Sequence, residues 1–311
     1  MSNGKKNYWL VFVIVQVLFM GVWGALIEIP EKNGFPPTLG YVVWAITMIP
    51  AAIVALKFNN WKIDFSKKAM VLGLLTGLLG AAGQLILFFT LRLVPAYLVF
   101  PVISLTPVVT VLLAALLLKE RTRLMGWIGI GVAMLAIFFL SYQPSGSNDQ
   151  TGYTWLLLSL LPLLAWGVQG FVMRWANSVT SAESIFFYMM VSSVLLVPVA
   201  LMMTDFSQPI NWGFKGPWLA AMVQVLNAIG ALCLVYAFRY GKAIIIAPMT
   251  TALSPVLTVI LSLLIYAVIP QPLIITGMVL AVLSAFLMGR EDALSDDAGV
   301  VVTKPSADVM S

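Results

Sequence analysis

Ten apolar runs, each about long enough to cross a bilayer as a helix, decide what this chain can fold into. They cover residues 8–29, 37–56, 69–91, 96–118, 125–142, 153–173, 183–204, 217–238, 243–267 and 272–289. About 20 helical residues span the ~30 Å of hydrocarbon, and in lipid only helices and closed barrels pair every backbone polar group. With 61% hydrophobic residues, 9% charged and a mean hydropathy of +1.01, the composition is not that of a soluble domain. The expected fold class is an all-α integral membrane protein with ten transmembrane helices. Lys5 and Lys6 ahead of the first run imitate a signal peptide. That run is about 20 residues long with no small-residue cleavage site after it, so it reads as the first span.

The formal charge of +5 does not point to nucleic acid, because the basic residues sit between apolar runs rather than on one face. They act as topology signals. Threading ten spans alternately puts Lys5, Lys6, Lys57, Lys62, Lys67, Lys68, Lys119, Arg121, Arg123, Arg174, Arg239, Lys242, Arg290 and Lys304 on one side, and Lys32, Arg92 and Lys215 on the other. Because positive loops resist translocation, the first side is cytoplasmic and holds both termini: the short segment 1–7 and a polar, disordered tail 290–311. Asp149 and the connection 205–216 then lie outside, in a protein of the cell membrane. The chain has no histidine and a single cysteine, Cys233, which excludes an internal disulfide and argues against a zinc site or histidine triad. No metal or cofactor is implied.

The runs repeat. Pro101 answers Pro248, Pro107 answers Pro255, and both second prolines open Pro-Val-x-Thr-Val; Arg92 answers Arg239, and Trp23-Gly24 answers Trp166-Gly167. Two copies follow, residues 8–142 and 153–289, each of five spans. Five is odd, so the second copy enters the membrane upside down, as an inverted repeat.

Polar residues inside spans must face protein or a water-filled cavity. Gln16, Met20, Trp23 and Ile27 share a face of the first span, and a shift of 143 matches them with Ser159, Leu163, Trp166 and Gly170, beside Gln169. In the third span Thr76, Gly80, Gly83 and Leu87 run next to Gln84, and in the eighth Val223, Asn227, Gly230 and Leu234 run next to Gln224. Taken singly, each is ordinary helix-to-helix glue. Their convergence at similar depth predicts a shared polar cavity. Pro107 and Pro255 would kink spans four and nine and free carbonyls near Ile103 and Thr251, beside Ser104, Thr106 and Ser254. A harmless kink is the alternative, disfavoured because the prolines are paired; Pro101 and Pro248 join them as gating positions.

Arg92 and Arg239 are expected to snorkel to the interface, and Glu120, between Lys119 and Arg121, to make a surface ion pair. Glu28, at the outer end of the first span, is either a proton carrier or cation contact, or a cap on the outer mouth with Glu31 and Lys32.

Two five-span copies, a Trp-Gly in the first span of each, Leu105-Thr106-Pro107 and Leu253-Ser254-Pro255 in the fourth, and Lys119-Glu120-Arg121 after the first copy's fourth span resemble the drug/metabolite transporter superfamily in its EamA-like branch. The resemblance covers about 8–290 and implies a secondary transporter whose central cavity, lined by spans one, three, four, six, eight and nine, opens alternately to each side. Such proteins move amino acids, sugars, nucleotide sugars, drugs and other small metabolites. The chain departs from the pattern after Leu264, where Val268 stands opposite Glu120. A membrane enzyme acting on lipid would need a nucleophile with a base, paired carboxylates or a metal cluster, and none stands in the spans. A receptor or scaffold is disfavoured, and no G-x-x-x-x-G-K-[ST] supports a nucleotide-driven pump. The expected partners are a small-molecule substrate and the lipid bilayer, with a homodimer left open.

Overall fold

The computed structural model of the protein describes residues 8–93, 103, 105–140, 154–266 and 271–297. Pro101, Ser104 and Asp149 lie outside the described residues, as do the side chains of Glu28, Arg92 and Pro255. The described residues form no strand and ten longer helices: α1 Tyr8–Leu26, α2 Pro37–Phe58, α3 Lys67–Leu93, α4 Thr106–Leu116, α5 Leu124–Leu140, α6 Thr154–Val179, α7 Ala182–Leu195, α8 Leu219–Tyr240, α9 Ala243–Tyr266 and α10 Pro272–Asp297. Short helical turns at Glu28–Lys32, Val197–Met202 and Phe214–Trp218 join them.

Local chemistry sets the boundaries. Pro37 opens α2 at a first-turn position, where its missing N–H costs nothing. Ser181 caps α7 by accepting the Ser184 N–H at 3.1 Å, and the chain breaks at Leu196 just before Pro198. α10 runs through Asp297, eight residues past residue 289, so the tail expected to be disordered from Arg290 is helical at its start.

Six helices are long and apolar enough to cross a membrane, and four shorter apolar ones, Thr106–Leu116, Leu124–Phe139, Ala243–Thr258 and Pro272–Met288, lie beside them. Their outer faces carry large apolar side chains: Val11, Ile14 and Leu18 on α1, Ile46, Ile53 and Val54 on α2, Val279, Val282 and Phe286 on α10. Their inner faces are rich in alanine, including Ala45, Ala52, Ala114, Ala133, Ala228 and Ala281. Large-out, small-in is the pattern of helices solvated by lipid, where close backbone packing replaces the hydrophobic effect between helices. This is a multi-pass membrane protein.

The two halves exchange partners. α1 packs against α8 and α9, while α6 packs against α3 and α4; α2 meets α8, α7 meets α3, and α5 meets α10. Glycines fix the register of this exchange. A Cβ on Gly230 would sit 2.9 Å from Met20 Sδ, and one on Gly83 would sit 2.5 Å from Trp166 Nε1. In the same way Gly21 meets Leu257 where Gly167 meets Val109, and Gly24 meets Thr258 where Gly170 meets Thr110. The hydroxyls of Thr258 and Thr110 donate across these seams to Gly21 O at 3.0 Å and Gly167 O at 2.8 Å.

These contacts correct the shift read between the first helices of the copies. Gly21 corresponds to Gly167 and Met20 to Trp166, an offset of 146, not the 143 suggested by the two Trp-Gly pairs. Trp23 therefore corresponds to Gln169. The offset of 147 between α3 and α8 holds, since Gly83 answers Gly230.

One glycine away from these seams is dispensable. A Cβ on the exposed Gly131 of α5 would meet nothing within 4 Å. Gly131→Ala is expected to stabilise the protein by roughly 0.5–1 kcal/mol through helix propensity alone, read as a raised unfolding midpoint in detergent.

Candidate functional site

The polar side chains of α8 meet tryptophans from the first half. Trp23 Nε1 of α1 donates to Gln224 Oε1 at 3.1 Å, and Trp44 Nε1 of α2 donates to Asn227 Oδ1 at 2.8 Å. Both amides are nearly buried, 3% and 9% exposed, and they share a helical face three residues apart. The second pair is held from behind. Tyr41, fully buried, lies 5.2 Å from Trp44 ring to ring and donates its hydroxyl to Ser193 O of α7 at 2.9 Å.

On the other seam Trp166 Nε1 of α6 donates to Gly80 O at 3.2 Å, and the Gln169 amide fills the space beside Gly80 that a Cβ would occupy. Gln16 is buried in α1 with its Oε1 unpartnered, and Ser254 Oγ on α9 is unpartnered as well. Met20 lies against Gly230; Gln84 and Thr251 are half-buried.

The prolines are not equivalent in the described backbone. Pro107 occupies the first turn of α4 and begins that helix, whereas Pro248 and Pro255 lie within α9. The Ile103 carbonyl that Pro107 leaves without a backbone donor accepts the Thr106 hydroxyl at 2.5 Å. That carbonyl and that hydroxyl therefore satisfy each other once, and each oxygen keeps acceptor capacity.

One end of the bundle is tied shut. Lys119, in the left-handed region at φ 54°, turns the chain after α4 so that the Glu120 N–H donates back to Ala114 O at 3.1 Å. The Glu120 carboxylate then accepts Arg174 Nε of α6 at 2.8 Å and the Ile244 N–H at the start of α9 at 3.1 Å. A carboxylate at a helix N-terminus is favoured by the helix dipole. Arg174 also donates to Phe238 O at 2.8 Å, and the two side chains are only 13% and 8% exposed. The expected surface pair is a buried knot joining α4, α6, α8 and α9.

Neighbouring bonds extend that knot. Arg239 donates to Thr180 O at 2.9 Å and so is committed to the end of α6 instead of snorkelling. Tyr236 donates to Glu183 at 2.5 Å and stacks on Phe12 at 4.8 Å. The loop after α2 docks on α7, where Asp64 N–H donates to Ser184 Oγ at 3.0 Å and Tyr188 donates to Asp64 O at 2.8 Å. The Ser66 N–H and hydroxyl hold the Asp64 carboxyl below the usual carboxylate range. At the opposite end a cavity of about 240 Å³ is lined by Glu31, Thr38, Phe88, Met203, Asp205 and Gln208 among others.

A model of the EamA-like transporter family matches the chain twice, over residues 7–142 and 153–290. The chain belongs to the EamA-like transporter family. It is 31% identical over 133 residues to the uncharacterized protein MJ1333.1 of Methanocaldococcus jannaschii, 42% of this chain and 95% of that protein, so that relative is about one copy long. It is 23% identical over 253 residues to the pseudopaline exporter CntI of Pseudomonas aeruginosa, 80% of this chain and 85% of that one. A solved crystal structure superposes with a TM-score of 0.74 at 18% identity, covering 90% of this chain and 98% of that chain, and so has the same fold.

Within this EamA-family fold, sequence reasoning picked out Gln224, Asn227, Trp23, Trp166 and Gln169, which the structure gathers at the two exchanged seams. It missed Trp44, whose position inside an apolar run and potential as a donor were the available signal. It also missed Arg174, counted only as a topology marker.

Proposed function

We propose that this EamA-family chain is a secondary transporter that carries a small neutral or zwitterionic metabolite across the cell membrane by alternating access. In this reading the ten helices span the bilayer as two inverted five-helix copies, residues 8–142 and 153–289, with both termini in the cytoplasm. One observation carries it: two indole–amide pairs are buried where α1 and α2 of one half meet α8 of the other, so relative movement of the halves acts on the same groups that would hold a ligand. Trp166, Gln169, Gln16, Met20, Gln84, Thr251 and Ser254 complete the proposed cavity, with Glu28 as its coupling position.

The described ends of the bundle support the orientation. Lys119, Arg121 and Lys242 lie around the Glu120–Arg174 knot, which supports a cytoplasmic reading of that end; in this reading the 240 Å³ cavity belongs to the outer end. Exposed Trp61 and Phe65 near one end, and Trp212, Phe214 and Trp218 near the other, suit the two headgroup layers. The relative named as an exporter favours outward flux.

Counterflow into liposomes holding purified protein tests the reading. Saturable exchange of at least one amino acid, sugar or drug-like solute is expected, and a chain that binds such solutes but exchanges none is not a transporter. Sugar phosphates are expected to be excluded. Among the described residues no Lys or Arg joins the two amide pairs, and burying an uncompensated phosphate costs several kcal/mol.

A further inference from the structure

The seam holds one chemical feature that a general polar cavity does not explain. An indole nitrogen is a donor only, so Trp23 and Trp44 oblige Gln224 and Asn227 to turn their carbonyl oxygens toward them, at 3.1 and 2.8 Å. Each amide NH2 group then faces away from its tryptophan. Among the described residues neither nitrogen has a hydrogen-bond acceptor, although both residues are more than nine-tenths buried. Neither nitrogen is among the fully enclosed polar atoms that lack a partner, so both keep a route to accessible space, where a ligand or water can supply the acceptor.

The pair also breaks the symmetry of the fold. With the offset of 147 that relates α8 to α3, Gln224 and Asn227 correspond to Gly77 and Gly80. Those glycines exist for packing: a Cβ on Gly77 would lie 2.5 Å from Ser192 Oγ, and the space at Gly80 is taken by Gln169. Features present in both copies build the scaffold. Two amides present in one copy alone, braced by indoles from the other half, are not required by it.

We propose that Gln224 and Asn227 form a carboxylate-binding subsite, in which their two NH2 groups donate to the oxygens of a ligand carboxylate. The proposal rests on the transporter reading for its biological setting and names the substrate class. Each amide oxygen already accepts one indole N–H, so the groups left wholly unpartnered are donors, which favours a carboxylate over an ammonium group. Neutral donors, with no Lys or Arg among their partners, suit a singly charged carboxylate and not a phosphate. Trp23, Trp44 and Met20 supply an apolar surround for the rest of the molecule.

The test uses purified full-length protein in detergent and three probes of one shape: phenylpropionate, phenylpropanamide and phenylpropylamine. Their effect on the unfolding midpoint is read as binding. The wild type should be stabilised by the carboxylate and by neither other probe. Asn227→Asp keeps the acceptor for Trp44 and removes the donor, so carboxylate affinity should fall by about tenfold or more and the amine should become a ligand. If Asn227→Asp does not fold, Trp44→Phe serves: freed from its indole, the Asn227 amide can flip, and the preference for carboxylate over amine should shrink. Equal effects of all three probes on the wild type, no effect of the carboxylate at millimolar concentration, or an unchanged preference in both variants overturns the subsite. Counterflow of the same probes separates the two claims. Carboxylate binding without exchange removes the transporter reading and leaves the subsite, while exchange that ignores the carboxylate does the reverse.

Discussion

Arg174→Met is expected to cost about 3–5 kcal/mol, because it leaves the Glu120 carboxylate, 8% exposed, without its cationic partner. The Ile244 N–H still donates to Glu120, but one backbone donor does not balance a buried charge. Glu120→Gln should cost less, since Arg174 keeps the Phe238 and Arg239 carbonyls as acceptors. The double variant, which buries no unpaired charge, should recover a large part of the loss, and that recovery distinguishes a charge effect from lost packing. Unfolding midpoints in detergent read all three. If Arg174→Met unfolds no sooner than the wild type, the knot is not buried as described. Activity should follow: the knot ties α4 and α6 to the start of α9, so without it the closed end should open more often and exchange across the bilayer should slow.

Gly77→Val is the second large effect. Its Cβ would fall 2.6 Å from Ser192 Cβ and 2.7 Å from the Met189 Cα, and a backbone atom cannot step aside as a side-chain tip does. α3 and α7 would have to separate, breaking the Ser192 Oγ to Leu74 O bond at 3.1 Å. Overpacking of this kind costs roughly 1–3 kcal/mol, and a lost close approach in lipid adds to it. The expected result is poor yield of folded protein and a lowered midpoint, beside the tolerant Gly131→Ala. Equal midpoints for the two variants would show that the seam is looser than its glycines indicate.

Much of this fold could be read from the sequence because lipid imposes strict terms. Runs of about 20 apolar residues and paired prolines indicate the helices and the repeat, and the α3 to α8 offset read from Arg92 and Arg239 agrees with the packing of Gly83 and Gly230. The α1 to α6 shift was misread because the two Trp-Gly pairs look alike without doing the same thing: Gly24 faces Thr258, whereas Gly167 faces Val109. The partner of Glu120 was out of reach because Arg174 lies 54 positions away on a helix whose packing only the assembled bundle defines. Trp44 escaped notice for the same reason, since its acceptor is 183 positions distant. Pro107 was read as a mid-helix kink because the apolar run 96–118 shows no break, whereas the described helix begins at Thr106.

Alternating access requires that one buried group be reachable from each side of the membrane in turn. Asn227→Cys in a Cys233→Ser background places a single thiol at the indole–amide seam, because Cys233 is the chain's only cysteine. Reconstituted in liposomes of known orientation, this thiol should react with a membrane-impermeant reagent applied from either face. Adding Glu120→Gln and Arg174→Met should raise the rate from the basic face and lower it from the other. Reaction from one face only, unchanged when the knot is removed, would contradict the account.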